Sequence, residues 1–252
     1  MVTIAQLSDI HLGQVHRGDG GRRARRRAEQ VMAYLDALPG PLDAVLVTGD
    51  LADHGLPEEY RQVAKVLQSR HPVLICPGNH DRREPYRELL LGEAPAQGPV
   101  NRAHHLPGVD VLMLDSSIPG RNDGLLEDAT LEWLDGRLAA GRGDVPALVG
   151  FHHPPVELSI PTVDRIRQFE EERLAEVVRR HPRVAALLCG HAHTPAATTF
   201  AGRPLLVAPG VVYTVTLPCE GGPGASSDHP PMLAFHVLDD DGRVTTHYRA
   251  VC

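Results

Sequence analysis

The chain has 252 residues, 42% of them hydrophobic, enough for one sizeable core, and its 25 basic against 32 acidic side chains leave a formal net charge of -7. That balance disfavours nucleic acid polymers as general partners, because the long-range field repels a polyanion. No window approaches the ~18 consecutive apolar residues of a membrane span, and the start "MVTIAQLSDIH" lacks the basic region and cleavage site of a signal peptide, so neither is expected.

Apolar, β-branched-rich runs at residues 2–8, 43–50, 72–78, 109–116, 146–153 and 184–191 predict core strands. Between them, helical spacing predicts helices over 22–38, 57–68, 82–91, 128–139 and 163–180. Strand and helix alternate through residue 190, which argues for a layered α/β fold. From Ala196 onward only short strands are expected, at 197–200, 204–210, 211–218, 232–239 and 243–250, forming an antiparallel addition. Two stretches, 92–105 and 219–231, predict long loops. With no internal repeat or linker, a single domain over 1–252 is the simpler assignment, with a strand-rich segment from about 196 to 252.

The run "GRRARRR" puts five arginines, Arg22 to Arg27, on the first helix, where they read as a solvated face rather than a phosphate-contacting one. Cys76, Cys189, Cys219 and Cys252 form no close pair and read as reduced thiols of a cytoplasmic protein, Cys76 and Cys189 as small core residues. Histidine is more informative, with 15 residues, four of them in "GFHHPP" and "GHAH".

Ligands of α/β sheets gather outside the carboxyl ends of the strands, so the residues just past each predicted strand decide the chemistry. The first strand ends in Asp9-Ile10-His11, the second in Gly49-Asp50, the third in Gly78-Asn79-His80-Asp81, a later one in His152-His153 and the last in Gly190-His191-Ala192-His193. Each motif alone is an ordinary turn; five strand ends that all deliver oxygen and nitrogen donors predict a metal site. Imidazoles, carboxylates and one amide, without thiolates, suit Fe, Mn, Zn or Co. Asp9, His11, Asp50, Asn79, His152, His191 and His193 exceed the needs of one ion, so two metal ions sharing one carboxylate are expected. Two such ions ~3.5–4 Å apart can hold a shared water, lower its pKa and accept phosphate oxygens.

The ordered set DxH, GD, GNHD, H and GHxH resembles the signature of the calcineurin-like metallophosphoesterases, closest to their bacterial class III cyclic nucleotide phosphodiesterase and glycerophosphodiesterase branch. The resemblance spans nearly the whole chain, including residues 115–134, "HHPP" at 152–155 and "PGVVY" at 209–213. It implies a four-layer α-β-β-α sandwich of two mixed sheets flanked by helices. It also implies that Asp9, His11 and His193 hold the first metal and Asn79, His152 and His191 the second, with Asp50 bridging. His80 would then face the substrate phosphate, as a proton or hydrogen-bond donor to the leaving oxygen, and Asp81 would orient or charge that ring. His153 reads as a supporting or structural residue, and His104 and His105 as solvated.

The expected function is a metal-dependent phosphodiesterase acting on small phosphodiesters, cyclic nucleotides such as cyclic AMP or glycerophosphodiesters, through hydroxide held between the metals. The alternatives are a phosphomonoesterase or nuclease of the same fold, or a non-catalytic metal-binding scaffold. By resemblance a homodimer or higher oligomer is expected, with 219–231 as an interface or lid.

Overall fold

The computed structural model describes residues 1–143, 145–222 and 224–252. Two sheets organise them. The first runs β13-β12-β1-β2-β3, built from β1 (Val2–Leu7), β2 (Ala44–Thr48), β3 (Val73–Cys76), β12 (Met232–Leu238) and β13 (Val244–Ala250). The second runs β4-β5-β6-β7-β9-β8, from β4 (Arg102–Leu106), β5 (Val109–Met113), β6 (Ala147–Gly150), β7 (Val184–Cys189), β8 (Ala196–Phe200) and β9 (Arg203–Val207). Within the first sheet β1, β2 and β3 are parallel, and within the second β5, β6, β7 and β9 are. The edge pairs β12–β13, β4–β5 and β8–β9 are antiparallel.

Side chains on a strand alternate between faces, so a strand buried on both sides serves two cores. In β2, Ala44 and Leu46 enter a cluster with Val109, Val111, Met113, Leu148 and Leu188 of the second sheet. The alternate residues, Val45 and Val47, pack instead with Val31 and Leu35 of α1 (Arg22–Asp36) and Tyr60 and Val63 of α2 (Pro57–Val66). The outer face of the second sheet is covered by α4 (Asp128–Ala140) and α6 (Glu171–Arg180), through Leu134, Leu138, Leu174 and Val178. These three clusters make the four-layer α-β-β-α sandwich expected from the sequence.

Some expectations need correction. The loop expected at 92–105 contains β4, whose pairing (His104 opposite Val111) comes from its neighbour and not from alternation of its own. The helix expected over 163–180 is broken into α5 (Pro161–Asp164) and α6, because residues 167–169 pair with Gly124 and Glu170 turns into left-handed backbone at φ 54°. After α3 (Arg83–Tyr86) the chain continues to Leu91 as a π-helical turn. The strand expected at 211–218 shrinks to β10 (Thr214–Val215), paired with β11 (Ala225–Ser226); Val211 and Val212 bond instead to Ser8 and Asp9. The C-terminal strands are shared between both sheets, and β9 enters parallel to β7 rather than as an antiparallel addition. No helix among the described residues is long and apolar enough to cross a membrane.

One buried amide joins the sheets. Gln6 Nε2 donates to Thr48 Oγ1 and to the Cys189 carbonyl, both at 2.9 Å, while its Oε1 meets His236 Nε2 at 2.9 Å. Burial keeps His236 neutral, lowering it to about 3, and its Nδ1 meets Thr246 Oγ1 at 2.8 Å. Gln6→Met is expected to destabilise the fold by about 1–3 kcal/mol in urea unfolding, because it leaves buried donors and acceptors unpaired.

Candidate metal centre

The parallel strands of both sheets end along one edge of the sandwich, and there the turns place the predicted ligands. Asp9 and His11 lie just past β1, Asp50 past β2, Asn79 and His80 past β3, His152 past β6, and His191 and His193 past β7. The turns are tight enough to need glycine. A Cβ on Gly49, itself at φ 91°, would lie 2.4 Å from His152 Nδ1, and one on Gly78 would lie 2.2 Å from Asp50 Oδ1. Asp9, His11, Asp50, His191 and His193 themselves sit in left-handed backbone, at φ 55°, 43°, 52°, 66° and 52°. This conformation costs an L-residue roughly 1–2 kcal/mol, and its clustering at one edge marks a functional centre.

The side chains converge. Asp9 Oδ1 lies 3.2 Å from His193 Nε2 and 3.9 Å from both His11 Nε2 and His152 Nε2. Asp50 Oδ2 lies between His11 Nε2 at 3.4 Å and His152 Nε2 at 3.3 Å. Their outer nitrogens are already engaged: His11 Nδ1 with Asp53 Oδ1 at 3.0 Å, His152 Nδ1 with the Thr48 carbonyl at 2.7 Å, and His193 Nδ1 with the Tyr213 carbonyl at 3.3 Å. A ring whose Nδ1 proton is committed outward turns the Nε2 lone pair inward, the orientation a metal ligand requires.

The donor set fits cations. Asp9 Oδ1, His11 Nε2, Asn79 Oδ1 and His191 Nε2 are buried without hydrogen-bond partners. Asp9 and Asp50, at 0% and 2% exposure, are carboxylates withdrawn from water, and such groups need compensating positive charge. Histidine beside them answers part of that need. Burial opposes charge on His152, but Asp50 and Asp9 outweigh it and push the ring up to about 9. His11 is raised in the same way against burial, by Asp53, Asp50 and Asp9. Asp9, His11 and His193 form one group that could hold a metal ion, and Asp9, Asp50 and His152 another.

The remaining residues divide. His80 is 40% exposed; its backbone N–H donates to Asp50 Oδ1 at 2.9 Å, and its Nδ1 bonds the Asp53 carbonyl at 2.7 Å. Asp81 does not reach that ring. Its carboxylate accepts from Leu51, Ala52 and Gly78 backbone N–H groups and from Tyr60 Oη, so it ties the turns after β2 and β3 to α2. The neighbour of His80 is Asp53, which sequence reasoning misses; its only signal is a carboxylate three residues after Asp50. His153 is fully buried beside His152 and His191, with Nδ1 on Ser116 Oγ at 2.9 Å and burial holding it neutral. His104 and His105 lie on β4, away from the centre, and His104 is half-buried rather than solvated.

Two cavities meet at Asn79, His80 and Asn122. The smaller, about 200 Å³, is walled by Val163, Ile166, Tyr213 and Val215. The larger, about 490 Å³, is lined by Asp53, His54, Arg82, Gln97 and Arg121 together with Pro119 and Gly120. Its far wall is anchored by buried Arg83, which bonds Asp115, Glu127 and the Ser117 carbonyl.

Two facing mixed sheets with a His/Asp cluster at their common edge define a metallophosphoesterase architecture. Residues 2–195 match the calcineurin-like phosphoesterase family model. The chain is 35% identical over 245 residues to a probable cyclic nucleotide phosphodiesterase of Rhodococcus erythropolis, spanning 94% of this chain and 80% of that protein. It is 32% identical over 239 residues to the glycerophosphodiester phosphodiesterase GpdQ of Enterobacter lignolyticus, spanning 92% and 86%. The fold matches that of a dimetal phosphatase from Danio rerio with a TM-score of 0.72 at 15% identity, covering 100% of this chain and 99% of that one. The chain therefore belongs to the calcineurin-like phosphoesterase family, a family of metal-dependent hydrolases.

Because the Asp53 carboxylate fixes His11 through Nδ1, Asp53→Ala is expected to lower metal affinity or turnover about 10–100-fold while the backbone contact to His80 remains. Metal content after dialysis against a chelator, measured beside activity, checks this.

Proposed function

We propose that this chain hydrolyses small phosphodiesters, cyclic nucleotides or glycerophosphodiesters, with two transition-metal ions of the Fe, Mn, Zn or Co class. Asp9, His11 and His193 would hold the first and Asn79, His152 and His191 the second, with Asp50 between them. The observation that carries this reading is Asp50 Oδ2, nearly equidistant from His11 Nε2 and His152 Nε2, with Asp9 Oδ1, His11 Nε2 and Asn79 Oδ1 buried and unpartnered. Relatives named for both substrate classes support it.

When bound, such ions supply positive charge that activates water at neutral pH and offsets the charge of the phosphate. The chain's own residues do the rest. His80, at the junction of the two cavities, faces the phosphate there, beside Asn79 of the second metal's set. A carbonyl only accepts, so the contact with Asp53 keeps a proton on His80 Nδ1. His80 Nε2 then accepts a hydrogen bond when the ring is neutral and donates one to the leaving oxygen when it is charged. Asp81 serves this site indirectly, by holding the turns that present Asp50 and Asn79. The protein works as a single catalytic domain in the cytoplasm, where four unpaired thiols stay reduced.

His80→Ala is expected to keep its bound metal and lose about 10²–10⁴-fold in kcat, measured on bis-p-nitrophenyl phosphate. Chelator treatment should abolish turnover and added Mn should restore it. Rates for cyclic AMP, glycerophosphoethanolamine and p-nitrophenyl phosphate, run side by side, then assign the substrate; faster turnover of the monoester would overturn the diesterase reading.

A further inference from the structure

The arginine run of α1 divides by environment. Arg22, Arg25 and Arg26 are exposed, whereas Arg23 is half-buried and Arg27 is only 7% exposed. The two withdrawn guanidinium groups hydrogen-bond neither each other nor a carboxylate. Arg27 Nε donates to the Val211 carbonyl at 2.6 Å, Arg23 Nη1 donates to the Val212 carbonyl at 2.6 Å, and Arg23 Nη2 donates to the Ser227 carbonyl.

The same residues also bond the backbone that presents Asp9. The N–H groups of Val211 and Val212 donate to the carbonyls of Ser8 and Asp9, at 3.0 and 3.1 Å. The next residue, Tyr213, stacks its ring on His193 at 4.0 Å between centroids, and its carbonyl faces His193 Nδ1 at 3.3 Å. Beyond Tyr213 the chain leaves as the β10–β11 ribbon and returns through Ser227. The fork of Arg23 thus joins the outgoing leg at Val212 to the returning leg at Ser227. Val215, on the outgoing leg, walls the smaller cavity, and its carbonyl accepts from Thr194 Oγ1 beside His193.

A solvated helix face needs none of these contacts. Burying a guanidinium without a carboxylate is costly, and Arg27 Nη2 is left without a partner. Burial and the neighbouring Arg23 and Arg26 lower Arg27 to about 10, so it stays charged at neutral pH. A rigid, forked cation is the side chain that can grip carbonyls on two separate legs at once.

We propose that Arg23 and Arg27 are positioning residues for hydrolysis: they clamp residues 211–213 and the base of the β10–β11 ribbon, and so set the Tyr213 ring and carbonyl that orient His193. The exposed arginines of the same helix take no part. The catalytic half of this claim rests on His193 being a metal ligand; the clamp itself does not.

The test uses the full chain. Glu220, in the ribbon excursion, is the only glutamate in residues 177–252, so a glutamate-specific protease releases fragment 221–252 only by cutting there. Arg23→Gln should release that fragment on the order of tenfold faster than the wild type, because cleavage tracks the open population of the ribbon. It should also lower kcat/KM on bis-p-nitrophenyl phosphate about 10–100-fold while the melting transition stays cooperative. Arg23→Lys, which keeps the charge but not the fork, should restore only part of either property. Combined Arg22→Ala, Arg25→Ala and Arg26→Ala should behave as wild type. Arg27→Met tests the second contact, and Arg23→Gln decides the matter if that variant fails to fold.

Wild-type cleavage and turnover in Arg23→Gln would overturn the proposal. Equal loss of activity in the triple alanine variant would overturn it in favour of a basic patch that contacts substrate. A wild-type protein without activity would sink the phosphodiesterase reading alone, since the cleavage rates still decide whether the clamp exists.

Discussion

Two carboxylates, Asp9 and Asp50, stand almost without solvent at the edge where the sheets meet, and the surrounding structure answers their charge. An ionised carboxylate withdrawn from water is stable only beside positive charge and hydrogen-bond donors. Donors come from the backbone: His191 N–H reaches Asp9 Oδ2 at 3.1 Å, and His80 N–H reaches Asp50 Oδ1 at 2.9 Å. Positive charge would come from bound cations, and, against burial, the two carboxylates raise the pKa of His152. The inward oxygens, Asp9 Oδ1 and Asp50 Oδ2, are the ones that face the histidines. One constraint therefore explains the glycines in the turns, the left-handed backbone and the outward commitment of Nδ1 on His11, His152 and His193.

Such a centre needs a stiff foundation, and the interior supplies one with polar contacts placed just beneath it. The Thr48 carbonyl accepts from both Ser8 Oγ and His152 Nδ1, while Gln6 binds Thr48 Oγ1 and the Cys189 carbonyl. Three ligand-bearing strands, β1, β2 and β7, are thereby cross-linked two residues before Asp50 and His191. Asp81 does the same for the turns after β2 and β3. Precision at the site is thus inherited from buried networks whose members are matched with one another, a condition under which polar groups rigidify a core.

The outer wall is built differently. The chain from Val211 to Ser227 carries little regular structure and is held by contacts at its base. Two cavities meet at His80, one of about 490 Å³ and one of about 200 Å³, each lined by polar and apolar side chains together. Discrimination among phosphodiesters would fall to the walls of these cavities rather than to the residues that would hold metal.

The strand runs, the alternation of strand and helix, and the ligand motifs were all legible in the sequence, because each is written locally: a continuous apolar run in β2, glycine before Asp50, Asn79 and His191, histidine and aspartate at strand ends. Asp53 was not legible, since a carboxylate in a turn has no periodic signature until His11 and His80 close on it. Nor was the role of Asp81, which adjacency to His80 suggested and backbone direction denied. The break at residues 165–170 and the strand at 102–106 depend on partners, Gly124 and β5, that lie elsewhere in the chain. So too with the arginines of α1, whose sequence spells a charged helix face. The sequence by itself determined which chemical groups would gather; only the tertiary structure decided which neighbour each one faces, because hydrogen bonds between segments some two hundred residues apart leave no pattern in either segment alone.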